Sequence, residues 1–559
     1  MNLTRLLTLI AAGVLVAACD SGDINISPST TVTDSNNTTN TGTGGSADDI
    51  CASYEKNGQT FQGSADTNGN CTYGSAFVGP QNNLTVDLLL EELPDGGAHI
   101  FESSLFVGET YRTQDDLAAA GITEGGDGPT LTIEPGTTLA FATNKDFIII
   151  NRGSRILADG TPDKPITITS VSDINETVGP EDVQQWGGMV INGFGVSNKC
   201  SYTGIRGTAG FALEADTECS IEAEGSAGDD ESQYGGDNDN DSSGIMRYVI
   251  VKHTGAEVGN GDELNGISFG GVGRGTVVEN LQVYSTFDDG IEMFGGAVSF
   301  TNFVALYVRD DSIDIDEGWI GSIDNALVIQ SATDGNHCIE ADGVGSYSSQ
   351  DPAVIADFIA RGLNSAPTIN NLTCIISPNI NGTHGEGAGW RLREGIHPVI
   401  NNSLVISSFA ANDVTDSDDN YCLRIDNTET QAAAVAGDLQ VNSAIFACQE
   451  NAKGNAFDIF ADEQAWAESQ GNQFATVADG TAKDASAAND ADLQLLEGTQ
   501  KVYSIGWATS LVDDAAPIAT TEPTDGTYLG GLEAAADWTA PWAYGISETN
   551  RGQPLWFEQ

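Results

Sequence analysis

Thr276-Val277-Val278-Glu279-Asn280-Leu281-Gln282-Val283 opens a stretch, ending at Gly343, in which one pattern returns about every 22 to 26 residues. The same line recurs as Val298-Ser299-Phe300-Thr301-Asn302-Phe303-Val304 and as Ser322-Ile323-Asp324-Asn325-Ala326-Leu327-Val328, each with an asparagine at one fixed place. A second line keeps step with it: Gly266-Ile267-Ser268-Phe269, Gly290-Ile291-Glu292-Met293, Ser312-Ile313-Asp314-Ile315 and Cys338-Ile339-Glu340-Ala341. A period this short cannot hold a helix-pair repeat of about 34 residues, but it fits two or three short strands and tight bends per coil of a β-solenoid. The apolar members then point inward and stack.

Asparagine tolerates the left-handed backbone that a sharp bend needs, so Asn280, Asn302 and Asn325 are expected to stack as a side-chain ladder. The slot returns at Asn371 and Asn402. Between Asn325 and Asn371 two periods pass, and Asp351 to Leu363 reads as an inserted helix, capped by Asp351 and started by Pro352.

Met1 to Cys19 carries a basic flank at Arg5, an apolar run from Leu6 to Ala18 and a small-residue end, Val16-Ala17-Ala18-Cys19. That is the layout of an export signal. A run of about 13 apolar residues falls short of the roughly 20 that cross a bilayer. The cysteine at the cleavage point resembles the bacterial lipoprotein signal, which implies a mature chain that begins at Cys19 and is lipidated there. Asp20 follows, a position that influences the choice between inner and outer membrane in some bacteria. The expected address is the cell envelope, at the outer membrane, facing the periplasm or the outside. Residues 20–48 are almost entirely Ser, Thr, Asn, Asp and Gly, a composition too polar to fold, and read as a flexible tether.

The 559 residues include 81 acidic and 21 basic side chains, a formal charge of −60, and 66 glycines. A surface this acidic disfavours nucleic acid and anionic headgroups; it points to cation binding, a saline habitat or plain solubility. Calcium is the cofactor this charge suggests. Apart from Cys19, the cysteines fall in neighbouring couples: Cys51 with Cys71, Cys200 with Cys219, Cys338 with Cys374, Cys422 with Cys448. Spacings of 19 to 36 residues are about one coil plus a loop, which brings partners within disulfide reach. No Cys-x-x-Cys pair is present to suggest a zinc knuckle or a redox motif.

The coils are expected to begin near Thr130-Leu131-Thr132-Ile133-Glu134-Pro135-Gly136, followed by Gly153-Ser154-Arg155-Ile156-Leu157-Ala158-Asp159-Gly160-Thr161 and Lys164-Pro165-Ile166-Thr167-Ile168. This glycine-bounded strand, Gly-Thr turn and Pro-Ile strand resembles right-handed parallel β-helix proteins of the pectin-lyase-like superfamily. Trp186-Gly187-Gly188-Met189, Tyr234-Gly235-Gly236 and Asp289-Gly290-Ile291-Glu292-Met293-Phe294-Gly295-Gly296 further resemble a group of bacterial envelope lipoproteins without assigned activity. The fold implied is all-β, a single-stranded parallel β-helix over residues 85–455. A disulfide-bearing cap (49–84) precedes it, a long insertion (198–243) interrupts it, and a capping region (456–559) follows. A short helix is expected near Asp462 to Ser469, and the tryptophans at 507, 538, 542 and 556 are expected to cover the last coil, with carbohydrate stacking as their functional alternative.

Two sets of residues invite a chemical reading. Asp237-Asn238-Asp239-Asn240-Asp241 alternates carboxylates as calcium loops do, although Ser242 and Tyr248 stand where an EF-hand has its turn glycine and closing glutamate. Glu292, Asp314 and Glu340 align in one column, continued by Arg391 and Arg424, with Asp288-Asp289, Asp310-Asp311 and His337 just before. Polygalacturonases of the same fold carry aspartates, a histidine and basic residues on successive coils. That resemblance implies Asp289, Asp310 and Asp311 as carboxylates, His337 as helper and Arg391 or Arg393 as substrate clamp. The family's Asn-Thr-Asp and Gly-His-Gly contexts are missing here, and aspartates also sit naturally at coil bends. No nucleophile elbow, phosphate loop or His-Glu-x-x-His motif occurs. The expectation is therefore a lipid-anchored module that binds, adheres or scaffolds, stabilised by calcium, with a polysaccharide or an envelope protein as partner. The alternative is a polysaccharide hydrolase or lyase that uses the acidic column.

Overall fold

In the computed structural model the described residues are 50–223, 232–259, 262–377, 382–406, 420–448, 450–454, 456–476, 505–506, 528–533, 536–547 and 549–558. They lie within one compact unit, residues 47–559. Cys19, the tether at 20–48 and Trp507 fall outside them.

The repeated line around each asparagine forms a long strand that turns a corner. Val277–Tyr284, Ser299–Leu306, Ser322–Ile329 and Thr368–Ile375 pair in parallel, in a register that aligns Leu281, Phe303, Ala326 and Leu372. At the corner Asn280, Asn302, Asn325, Asn371 and Asn402 all take positive φ, between 55° and 66°. Their amides join hand to hand: Asn302 Nδ2 donates to Asn280 Oδ1 and Asn325 to Asn302 at 3.0 Å, Asn371 to Asn325 at 3.0 Å, and Asn402 to Asn371 at 3.3 Å. A parallel β-helix needs such a ladder because a corner breaks the strand hydrogen bonds, and the stacked amides restore a partner on each coil. The expected ladder and the expected solenoid are thus both present.

The second repeated line builds a separate ten-stranded parallel sheet. Its strands are β1 (Leu105–Val107), β2 (Ile148–Ile150), β3 (Met189–Asn192), β4 (Ile267–Gly270), β5 (Ile291–Phe294), β6 (Ile313–Asp316), β7 (His337–Asp342), β8 (Ala388–Arg393), β9 (Tyr421–Ile425) and β10 (Glu450–Ala452). Ile291, Ile313 and Ile339 point into the coil and are fully buried, facing residues such as Phe303, Ala326 and Val328 from the bent strands. Each such side chain contributes roughly 1.5–3 kcal/mol by leaving water. Near the start of the coils the interior carries a stack of rings, Tyr73 on Phe101, Phe101 on Phe141, and Phe141 on Trp186, with centroids 4.9, 5.7 and 4.7 Å apart.

All four expected disulfides form, with Cα separations of 5.4, 5.3, 6.1 and 5.5 Å. Cys338–Cys374 and Cys422–Cys448 cross the interior from the ten-stranded sheet to the facing wall. Four disulfides mark a chain that matures in an oxidising, extracytoplasmic compartment. Among the described residues no helix is long and apolar enough to cross a membrane.

The inserted helix forms at Pro352–Ala360, where Asp351 Oδ1 accepts the Ala353 amide at 2.9 Å. A second helix at Glu463–Ser469, capped by Asp462, buries Trp466 against the core near the last described rungs. The aromatic tail behaves otherwise than expected. Trp538, Trp542 and Trp556 do not cover the last coil; together with Leu529, Leu532, Leu555 and Phe557 they lie along the flank. There they cover an outward-facing apolar stripe that runs from Ile250 through Leu306, Ile329 and Ile375 to Ile406 and Ile445. Gln282 clasps the tail twice, donating to Tyr544 O and accepting from Tyr544 N, both at 2.7 Å. The stripe exists because alternate residues of each bent strand face outward and are apolar, so an intramolecular cover is needed in water.

Candidate functional site

Outward residues of the ten-stranded sheet stack in register, and on β5 to β7 they are acidic. Glu292 faces Asp314, Asp314 faces Glu340, and Arg391 and Arg424 continue the same file on β8 and β9. A second file sits where each strand begins: Asp289 and Asp311 just before β5 and β6, and His337 as the first residue of β7. Here the side chain of one coil accepts the backbone amide of the next, Asp311 N to Asp289 Oδ1 at 2.9 Å and His337 N to Asp311 Oδ1 at 2.7 Å. These aspartates serve the bend, as expected of acidic residues at coil corners, with one oxygen each committed.

The two files form a band of carboxylates along the face. Ligand oxygens of Asp289, Glu292 and Asp314 lie within 4.8 Å of one another, as do those of Asp288, Asp289 and Asp310, so Asp289 belongs to both groups. The charges around Asp289 are those of Asp314, Asp288, Asp311 and Asp310. Burial, then this like-charge crowding, pushes the carboxyls of Asp289, Asp311 and Asp314 well above the usual carboxylate range.

Further along, the positive side chains are already engaged. Arg391 Nη1 bonds Glu340 Oε1 at 2.9 Å and its Nε bonds Asp426 at 3.2 Å. Arg393 holds Glu340 Oε2 at 2.8 Å and also pairs with Asp342. Arg424 is held by Asp426 at 2.8 Å. Residues expected as a substrate clamp therefore spend their charge on neighbouring carboxylates. Asp310 accepts from Asn336 Nδ2 at 2.8 Å and stands 3.8 Å from His384 Nδ1.

His337 is enclosed. Its Nδ1 lies 2.8 Å from Asp311 Oδ1 and its Nε2 lies 2.8 Å from the Tyr421 hydroxyl. Burial pushes the imidazole down to about 4, so it is neutral at ordinary pH. The network then sets the tautomer: Nδ1–H donates to Asp311, and Nε2 accepts from the Tyr421 O–H, whose proton burial holds more firmly than usual. Tyr421 could not be singled out in the sequence, lying 84 residues from His337 in an irregular coil.

The Asp237-Asp239-Asp241 loop does not gather its carboxylates. Asp239 takes the Arg206 guanidinium at 2.8 Å; Asp241 accepts Gly125 N at 2.7 Å and Phe194 N at 3.1 Å; Asp237 accepts Leu213 N at 3.2 Å. Asp237 and Asp239 brace the insertion internally and Asp241 ties it to the segments at Gly125 and Phe194, so the three carboxylates are spent on separate partners. The alternation looked like a ligand pattern because both uses demand acceptors on one side of a tight turn.

The pectate-lyase-like β-helix domain matches residues 109–504. The chain belongs to that family. No curated protein and no solved structure matches it. Among the described residues, three groups along β5 to β7 bring ligand atoms close enough to hold an ion: the two that share Asp289, and Asp311 with His337 and Glu340.

Proposed function

We propose that the chain is a calcium-dependent binding or scaffolding module of the cell envelope, tethered to a membrane, at the outer membrane, by lipid on Cys19, with the acidic band of β5 to β7 as its cation-binding face. One observation carries this reading: Asp289, Glu292 and Asp314 bring oxygens within 4.8 Å of one another amid further carboxylates. Two oxygens on opposite sides of a calcium ion stand about 4.8 Å apart, given bonds of about 2.4 Å, and a hard cation prefers an oxygen-only set. The eight cysteines away from Cys19 are in disulfides, and the two groups that contain Asp289 offer oxygen alone, a set that suits a hard cation; the neighbouring group of Asp311, His337 and Glu340 adds one nitrogen. A bound cation offsets the repulsion that otherwise favours protonated carboxyls. It also gives a polysaccharide or an envelope protein a positive point of attachment on a strongly acidic surface, which nucleic acid would avoid.

The test is calorimetric titration with CaCl₂ after chelation, paired with thermal melting. Wild type is expected to bind and to melt higher with calcium, by an increment equivalent to about 2.7 kcal/mol at a hundredfold excess over Kd. Asp289→Asn with Asp314→Asn should remove the effect. Absence of any calcium response in wild type refutes the reading. Release of reducing ends from a polysaccharide panel by wild type, lost in Asp310→Asn with Asp311→Asn, would replace it with the enzymatic one.

A further inference from the structure

His337, Ala388 and Tyr421 occupy one file on β7, β8 and β9, since His337 pairs with Ala388, and Trp390 with Leu423 two residues along. Neighbouring strands are about 4.8 Å apart, so His337 and Tyr421 start roughly 10 Å from each other. They meet at 2.8 Å because the rung between them is Gly387-Ala388-Gly389, with one methyl group where the other coils of the file carry Asp289, Asp311, His337 and Tyr421. Gly389 has no room for a Cβ, which would collide with the Cys422 carbonyl. Both ends of the contact are pinned: Cys338, next to His337, is bonded to Cys374, and Cys422, next to Tyr421, to Cys448.

From Tyr421, hydrogen bonds pass from residue to residue to the acidic band, entering Asp311 at its side chain, which the His337 amide also holds, and leaving from its backbone amide. The Tyr421 hydroxyl donates to His337 Nε2, His337 Nδ1 donates to Asp311 Oδ1, and the Asp311 amide donates to Asp289 Oδ1. Asp289 is the carboxylate common to the two all-carboxylate groups, and the third group, Asp311 with His337 and Glu340, contains two members of this relay. Partners behind a ligand fix its orientation, and their loss weakens metal binding by about 10- to 100-fold in well-studied sites.

We propose that Tyr421, reaching His337 over the short rung at Ala388, is a positioning residue for the cation site: it locks His337 and Asp311 and thereby aims Asp289, four strands away. This rests on the calcium reading above. The hydroxyl acts at a distance, through the file, and touches no cation itself.

The experiment compares Tyr421→Phe with Tyr73→Phe. Tyr73 is the ideal control, because its hydroxyl also meets a buried histidine, His99 Nδ1 at 2.7 Å, but does so in the first coils. Calcium titration and the ring nitrogen chemical shifts of His337 are read for both. Tyr421→Phe should weaken calcium about tenfold and change the His337 nitrogen shifts, whereas Tyr73→Phe should leave both as in wild type. His337→Asn keeps the donor toward Asp311 and drops the Tyr421 contact; it should match Tyr421→Phe, and the double variant should be no worse than either. It also stands in should Tyr421→Phe fail to fold. Equal calcium affinity in wild type, Tyr421→Phe and His337→Asn overturns the proposal while sparing the cation site. A wild type without calcium response overturns both.

Discussion

Replacing Asn325 isolates what the corner ladder contributes. Its backbone sits at φ 66°, and its side chain both donates to Asn302 and accepts from Asn371, each at 3.0 Å. Asn325→Ala loses two hydrogen bonds, about 1 kcal/mol each, and also places a Cβ residue without local compensation in the left-handed region, about 1–2 kcal/mol more. The sum is about 3–4 kcal/mol. Asn325→Gly loses the same bonds but adopts this φ freely, so it should cost about 1 kcal/mol less than Ala, even after the extra freedom of glycine in the unfolded chain is counted. Urea denaturation followed by circular dichroism measures both variants against wild type. If glycine proves as costly as alanine, the left-handed corner is not what selects asparagine. If both cost under about 0.5 kcal/mol, the ladder does not hold the coils together.

Other expectations follow from single sites. Ile313→Lys puts an unpaired ammonium in a fully buried column and should destabilise by about 4 kcal/mol or more, read as a large fall in melting temperature. Glu463 is 1% exposed, its Oε1 accepts the Ile425 amide only at 3.5 Å, and burial, before Asp462 and Asp426, raises its carboxyl to about 7. A raised carboxyl stabilises the native state fully below its unfolded value near 4.5, and that contribution is lost as pH rises through 7. Glu463→Gln should therefore melt above wild type at pH 8 and lose this advantage by pH 4; equal melting curves at pH 8 would contradict it. Cys19→Ala should release the mature protein from membranes or leave an unprocessed precursor, and unchanged lipid labelling in membrane fractions would count against Cys19 as the anchor.

Much of the fold was legible because it rests on local chemistry. Asn280, Asn302 and Asn325 announced a left-handed corner, Asp351 and Pro352 a helix start, and the cysteines a pairing of near neighbours, all within about two coils of sequence. The acidic files were legible for the same reason, since Glu292, Asp314 and Glu340 repeat in phase. What the residues alone did not reveal depends on side chains meeting across irregular spacing. Tyr421 reaches His337 only because Ala388 is small, and nothing in a one-dimensional pattern marks a short rung as a passage. Arg206 takes Asp239 from 33 residues away in sequence, a contact that the alternation from Asp237 to Asp241 does not reveal. The tryptophans of the tail were known to be apolar, but not which surface they would seek, because outward apolar residues on separate coils form a stripe only once the coils are stacked.

That stripe sets a timetable for folding. In a solenoid each coil leans on its neighbours and can form as soon as they exist. Here the cover arrives last: Gln282 waits for Tyr544, 262 residues downstream, and Glu181 for Gln553, 372 residues downstream. During synthesis or export, the early coils must therefore stand with an oily seam bare until nearly the whole chain is through. This is the kind of interval in which exposed apolar surface invites association with other chains. A holdase chaperone, or export fast relative to coil formation, would shorten that interval, and a chain cut before residue 528 would never leave it.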